Sequence, residues 1–474
     1  MIAREADDDA GIGIDRQVQR CSSVKKGARV HECLCSRLLP SLRGLSDTRR
    51  EEVGFRRFFR NKKVTASEIV ATAAKRTGEA AAGLHVLVIE DTTEVNYEAK
   101  SGRKRGLGSV GNGTDRGLFV HGALAVDAES GAVLGLAGAV IWNRTKVKAT
   151  NYQDLLIEEK ESFRWIDGFR QAAGCLGAAR LITLVTDREG DIYELLCSTA
   201  DAAHLIIRTT HDRGVNDIEK RLFARLKALP VAATVELALP ARDGQPKRKA
   251  RLELRYGAVR LRRPSRGMDP RYPAELTLNC VEAREIDAPE GVAPLLWRLY
   301  TTHEVTTPEE AQTIVRLYRQ RWIIEQMHRT MKSRGVNIEE CLLADARALE
   351  AYAATAVSAA VRVMQLVQAR GPAGDVISAS RVFCPEEIEV LDAVIPKFEG
   401  RTEKQKNAHP AHSLSWAAWG IARLGGWKGY ASERPPGPET FAIGLRRFTA
   451  IAEGFAIARG TDDKKADNIA PKAH

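Results

Sequence analysis

The amino-acid sequence predicts an α/β protein with a mixed central sheet, a β-rich insertion and a helical C-terminal region. Two apolar runs, LHVLVIE over 84–90 and LITLVT over 181–186, are short, continuous and bounded by turn or polar residues, as buried strands are. From about 215 to 297 apolar and polar residues alternate, the period of half-buried strands. Helical periods then dominate from Pro308 to about Arg370. At 474 residues the chain exceeds one simple core, and about 100–200 residues per domain gives two to four units.

In chain order, residues 1–53 show neither a helical nor a strand period. Residues 54–63, GFRRFFRNKK, interleave Phe55, Phe58 and Phe59 with five basic residues, a mixture that can contact nucleic-acid backbone and anchor to a core. Thr65 with Glu68 forms a capping-box pattern, so a helix is expected from about 66 to 75. Strands are expected over 84–90, 118–126, 133–142, 181–186 and 205–209, with a turn at Glu129-Ser130-Gly131. Helices are expected over about 154–173 and 191–197. Within the insertion, residues 247–266 hold nine Lys/Arg against the single acid Glu253, either a charge-protected strand edge or a DNA-facing surface. Beyond a basic linker near 397–407 lies a helical segment with Trp416, Trp419 and Trp427, then the Pro435-Pro436-Gly437-Pro438 break. The polar tail 462–474 reads as unordered.

Composition narrows the partners. A net charge of +11 and a pI near 9.3 point to a polyanion, with nucleic acid the leading candidate. The first residues, MIAREADDDAGIGIDRQ, lack the apolar core of a secretory signal, and the Ala-rich run 351–369 carries Arg362 and reads as a buried helix rather than a membrane span. Eight scattered cysteines fit a reducing cytoplasm. His31, Cys33 and Cys35 resemble half a metal site without a second ligand cluster.

The stretch 317–334, LYRQRWIIEQMHRTMKSR, is the most loaded with chemistry. On one continuous helix, Tyr318, Arg321, Glu325 and Lys332 share a stripe, while Leu317, Ile323, Ile324, Met327 and Met331 form the buried side. A carboxylate among a phenol, a guanidinium and an ammonium suits metal and phosphate handling; such stripes are also often solvated faces. Asp91 and Asp187 each stand at the end of a predicted strand. Acids at neighbouring strand ends can converge with Glu325 on one point, where two hard divalent ions, Mg²⁺ by preference with Mn²⁺ as a substitute, would balance their charge. Glu90, Glu189 and Asp191 are less favoured, Glu90 because it faces the other side of its strand. The GxGxxG of Gly106, Gly108 and Gly111 lacks a following helix and reads as a hairpin, and His121 and His328 as structural.

These residues resemble the bacterial cut-and-paste DDE transposases of the insertion-sequence-four family, of the type carried by transposon five. The matching pieces are IEDTTEVNY around Asp91, EKESFRW over 159–165, VTDREGDI around Asp187 and the Y-x₂-R-x₃-E-x₆-K spacing of Tyr318, Arg321, Glu325 and Lys332. RFFRN over 57–61, LLW over 295–297 and ARLGGW over 422–427 also correspond, so the likeness spans about 54 to 460. It implies an RNase H-like catalytic core over 81–370 with the β-insertion at about 215–297, the remainder of an N-terminal DNA-binding region over 54–80, and a dimerising helical region from 371. It further implies Asp91, Asp187 and Glu325 as the metal triad, Tyr318, Arg321 and Lys332 on end phosphates, Trp297 stacking on a flipped base, and Arg208 as a DNA contact. End nicking, hairpin formation, hairpin opening and strand transfer would follow at one site, on double-stranded DNA bound by a homodimer at the bacterial nucleoid. Residues 1–53 do not resemble the family's end-recognition domain and fit a frameshifted or misannotated start; the alternative is then a shortened, DNA-binding or dimerising inhibitor.

Overall fold

The structure, a computed structural model, describes residues 25–144, 151–152, 154–198, 203–239, 247–333, 335–430 and 432–460. The tail 462–474 therefore lies outside the described residues. Contacts divide the chain into two compact units: Val70–Glu94 with Leu107–Glu325, and a second comprising the residues up to Ile69, Val95–Gly106 and those from Gln326.

The first unit is built on a ten-stranded mixed sheet. Its strands are β1 (His85–Asn96), β2 (Gly108–Val110), β3 (Asp115–Asp127), β4 (Val133–Trp142), β5 (Leu181–Thr186), β6 (Ala203–Arg208), β7 (Ala233–Leu239), β8 (Arg248–Arg262), β9 (Glu275–Ile286) and β10 (Leu296–Thr301). They lie in the order β2-β3-β1-β5-β6-β10-β9-β8-β7, with β4 paired to β3. Strands β1, β5 and β6 run parallel, whereas β10, β9, β8 and β7 continue the same sheet antiparallel. The strand-rich stretch after β6 thus extends the sheet that carries Asp91 and Asp187, in place of a separate layer.

Parallel central strands are buried on both faces, which is why β1 and β5 read as continuous apolar runs. Val86, Val88, Ile182 and Leu184 enter one core with Trp165 and Phe169 of helix α3 (Arg164–Cys175), which packs on β4 and β3. Helix α3 is shorter at its start than the sequence pattern suggested. Residues 157–159 and 161–163 are single 3₁₀ turns, the first fixed by the Glu159 carboxylate accepting from the Leu156 amide at 3.1 Å. The Gly106–Gly111 motif supplies β2 and the first residue of the turn to β3, a hairpin as expected.

The second unit is helical. Its centre is α7 (Ala346–Ala369), started by Asp345, whose carboxylate accepts from the Ala348 amide at 3.3 Å. Nearly all of α7 is buried, against α1 (Arg49–Arg60), α9 (Leu414–Leu424) and α10 (Pro438–Ala458). Helices α9 and α10 approach closely because position 444 is glycine: a Cβ there would lie 2.0 Å from the Ile421 carbonyl oxygen. No helix among the described residues is long and apolar enough to cross a membrane.

Residues 25–53 differ from their reading as unpatterned, while residues 1–24 lie outside the described residues. Residues 25–37 are helical and residues 42–45 and 49–60 follow as helices, with Val30, Cys33, Leu34 and Leu38 buried. Their spacing is a helical period, hidden in the sequence by cysteines that serve here as small apolar side chains. Phe55, Phe58 and Phe59 of GFRRFFRNKK are also core residues, which leaves only the arginines and lysines between them for solvent or a ligand.

Candidate active site

Asp91 and Asp187 are aligned by the sheet itself. In the parallel β1–β5 pair the last matched residues are Ile89 and Val185, and each aspartate lies two residues further on, Asp91 inside β1 and Asp187 in extended backbone just past the end of β5. Two residues is one full pleat, so both side chains point to the face carrying Leu87, Ile89 and Val185, away from helix α3. Asp187 also caps the next 3₁₀ turn, accepting from the Glu189 amide at 2.8 Å. Asp91 accepts from the Thr92 amide at 2.8 Å.

The third carboxylate arrives from the helices after β10. Helix α5 (Pro308–Arg319) begins with Thr307, whose hydroxyl accepts from the Glu310 amide at 3.2 Å, and packs on β8 and β9. The sequence predicted one continuous helix over 317–334, but α5 ends at Arg319 and α6 (Trp322–Lys332) starts after a tightened step. There the amides of Gln320, Arg321, Ile323 and Ile324 each bond three residues back, to Leu317, Tyr318, Gln320 and Arg321. Residues three apart stay adjacent through such a step, so a purely periodic reading could not detect it.

Arg321, in that step, joins two of the acids. Its guanidinium lies 3.3 Å from Asp91 and also pairs with Glu325. Burial works against the Arg321 charge, but Tyr318, Glu325 and Asp91 together raise its pKa, so it is a fixed cation. Burial pushes the Asp91 carboxyl up to about 7; Arg321 pulls it down, while Asp187 and, more weakly, Glu325 push it further up. Asp91 therefore lies close enough to both other acids to feel their charge, and one guanidinium joins it to Glu325. Among the described residues no three His, Cys, Asp or Glu side chains form a ready-made cation cage.

Around this cluster stand three more of the expected residues. Tyr318 is buried, with Arg321 and Arg208 opposing the rise that burial imposes on its hydroxyl. Arg208, at the end of β6, donates to the Leu296 carbonyl at 3.3 Å, and the buried Nε of its side chain has no hydrogen-bond partner among the described residues. Trp297 of β10 meets the Tyr318 ring edge-on at 5.1 Å. Lys332 is not among these contacts; it belongs to the helical unit, where its ammonium lies 3.7 Å from Glu339.

The neighbouring acids have other partners. Asp191 is buried, accepting from Thr209 and twice from Arg213. Glu189 pairs with Arg164 at 3.0 Å. Glu90 points to the α3 side, fully buried 3.4 Å from His121. Sequence reasoning missed Arg164, although it lies within the EKESFRW segment; an arginine at a helix start, where acids are favoured, was the available signal.

Residues 179–362 match the family model of the transposase DDE domain, a stretch that contains Asp187, Arg208, Trp297, Tyr318, Arg321, Glu325 and Lys332, while Asp91 precedes it. The protein is an enzyme, a DDE transposase, which cleaves and transfers DNA strands with the help of divalent metal.

Proposed function

We infer that the chain performs cut-and-paste transposition of the insertion-sequence-four, transposon-five type, with Asp91, Asp187 and Glu325 as the metal-binding acids of an RNase H-like core. The observation that carries this is the alignment of Asp91 and Asp187, each two residues beyond the last matched pair of the parallel β1–β5 ladder, with Arg321 linking Asp91 to Glu325. The donor set fits a hard divalent ion: carboxylate oxygens only, and an Asp91 whose charge is under-compensated by the single guanidinium nearby. Two Mg²⁺ ions, or Mn²⁺ in their place, would supply Lewis-acid stabilisation of the phosphate in transfer.

The chain's own residues do the rest. Arg321, held between Asp91 and Glu325, would offer its guanidinium to a phosphate oxygen, and Tyr318 and Arg208 a hydroxyl and a second guanidinium beside it. Trp297 presents an aromatic edge next to Tyr318, where an unstacked base can be received. Lys332 adds a phosphate contact further along α6. Strands β7 to β9 serve as the family's insertion, the C-terminal helices as a homodimer surface, and double-stranded DNA, transposon ends and target, as the substrate.

The test is incubation of purified protein with duplexes carrying the element's ends, with Mg²⁺ or Mn²⁺. Nicked and hairpin products are expected from wild type and none from Asp187→Ala, while Trp297→Ala nicks but accumulates little hairpin. End binding without any nicking by wild type refutes the catalytic reading and leaves the inhibitor as the function.

A further inference from the structure

Arg164 opens helix α3 on the sheet face opposite Asp91, and its side chain is only 15% exposed. Its guanidinium is engaged on every nitrogen: Nε donates to Thr92 Oγ1 at 3.1 Å, Nη1 to the Glu161 carbonyl at 3.1 Å and Nη2 to the Glu189 carboxylate at 3.0 Å. The rings of Trp142 and Trp165 flank it, with centroids at 5.4 and 5.7 Å.

Two of those anchors are the residues whose amides hold the aspartates. Thr92 N–H donates to Asp91, and Glu189 N–H donates to Asp187, each at 2.8 Å. The β1–β5 ladder has its last matched pair at Ile89 and Val185, short of both aspartates. Where the ladder stops, one guanidinium joins Thr92 of β1 to Glu189 of the turn after β5 from behind. Thr92 is fixed from a second direction, its Oγ1 lying 2.9 Å from His121 Nδ1.

We propose that Arg164 is a positioning residue for the metal-binding carboxylates: by bridging Thr92 and Glu189 it sets the separation of Asp91 and Asp187, and through it the affinity for divalent metal. This rests on the assignment of those aspartates as ligands. Arg164 touches neither carboxylate, so its removal leaves the donors in place but their spacing loose; loss of an outer-shell partner of this kind weakens metal binding by about 10–100-fold.

The test uses the full chain with Mn²⁺ alone, by calorimetric titration and electron paramagnetic resonance, on wild type, Arg164→Gln, Arg164→Lys, Glu189→Gln and Asp187→Ala. Arg164→Gln is expected to bind Mn²⁺ about tenfold or more weakly, with a cooperative melt near that of wild type and unchanged DNA binding. Arg164→Lys recovers part of the affinity, and Glu189→Gln shows a smaller loss in the same direction. Wild-type Mn²⁺ affinity in folded Arg164→Gln overturns the proposal; if that variant does not fold, undiminished affinity in Glu189→Gln overturns it. If wild type shows no Mn²⁺ binding that Asp187→Ala removes, the ligand assignment itself has failed and the brace with it, a result visible before any Arg164 variant is compared.

Discussion

Replacing Asp91 by asparagine should stabilise the protein while abolishing its chemistry. The Asp91 carboxyl is raised from 3.8 to about 7, first by burial and then, against the pull of Arg321, by Asp187 and Glu325. An unfolded chain releases this proton above pH 3.8 and the folded chain only above about 7, so the folded state holds the extra proton in between. Stability conferred by this group is therefore present at low pH, falls as pH rises between those two values, and is level beyond them. A gap of about three pH units, at about 1.4 kcal/mol each, makes the ionised Asp91 cost on the order of 4 kcal/mol at pH 8. Asparagine keeps the shape without the charge. In urea unfolding, Asp91→Asn should exceed wild type by up to about 4 kcal/mol at pH 8 and by only about 1 kcal/mol at pH 4.5. Millimolar Mg²⁺ at pH 8 should narrow the difference by stabilising wild type alone. An advantage that is absent at pH 8, or equal at both pH values, would refute the account of three crowded acids.

Three further outcomes follow from the packing. Phe59 is buried edge-on between Phe58 and Tyr352, with ring centroids at 5.3 and 5.6 Å, so Phe59→Ala should cost about 3–5 kcal/mol in thermal or urea unfolding; a loss below about 1 kcal/mol would return this segment to the surface. His303 is pushed down to about 3 by burial and by His204 and His85, so stability is lost as pH falls from about 6.5 towards that value, and His303→Gln should flatten this acid limb in melts from pH 7 to pH 4. Thr307→Ala removes the α5 cap and should lower stability by about 1 kcal/mol, measured by urea unfolding.

Much of the central sheet was legible because its strands are buried on both faces: β4 and β5 begin and end where their apolar runs do. The alternation that set Glu90 aside as facing away from Asp91 held for the same reason, since one residue along a strand is one change of face. The break between α5 and α6 was not legible, because Tyr318 and Arg321 are neighbours in a 3₁₀ step as well as in an α-helix. The helical period of residues 25–37 was masked by cysteines. Arg321 between Asp91 and Glu325 was legible only in part: its spacing from Glu325 showed a helical neighbour, but its reach to a strand 230 residues away is a tertiary fact. The contacts of Arg164 depend likewise on strand β1, the start of helix α3 and the turn after β5 meeting behind the sheet.

The parallel pairing of β1 with β5 has a consequence for how such a chain can change. What fixes the two aspartates abreast is a ladder five matched pairs long, not the length of polypeptide looping out between them. Insertions or deletions in the turns between β2, β3 and β4 can therefore accumulate without moving the acids apart, whereas a slip of a single residue within either strand would turn one aspartate to the rear of the sheet.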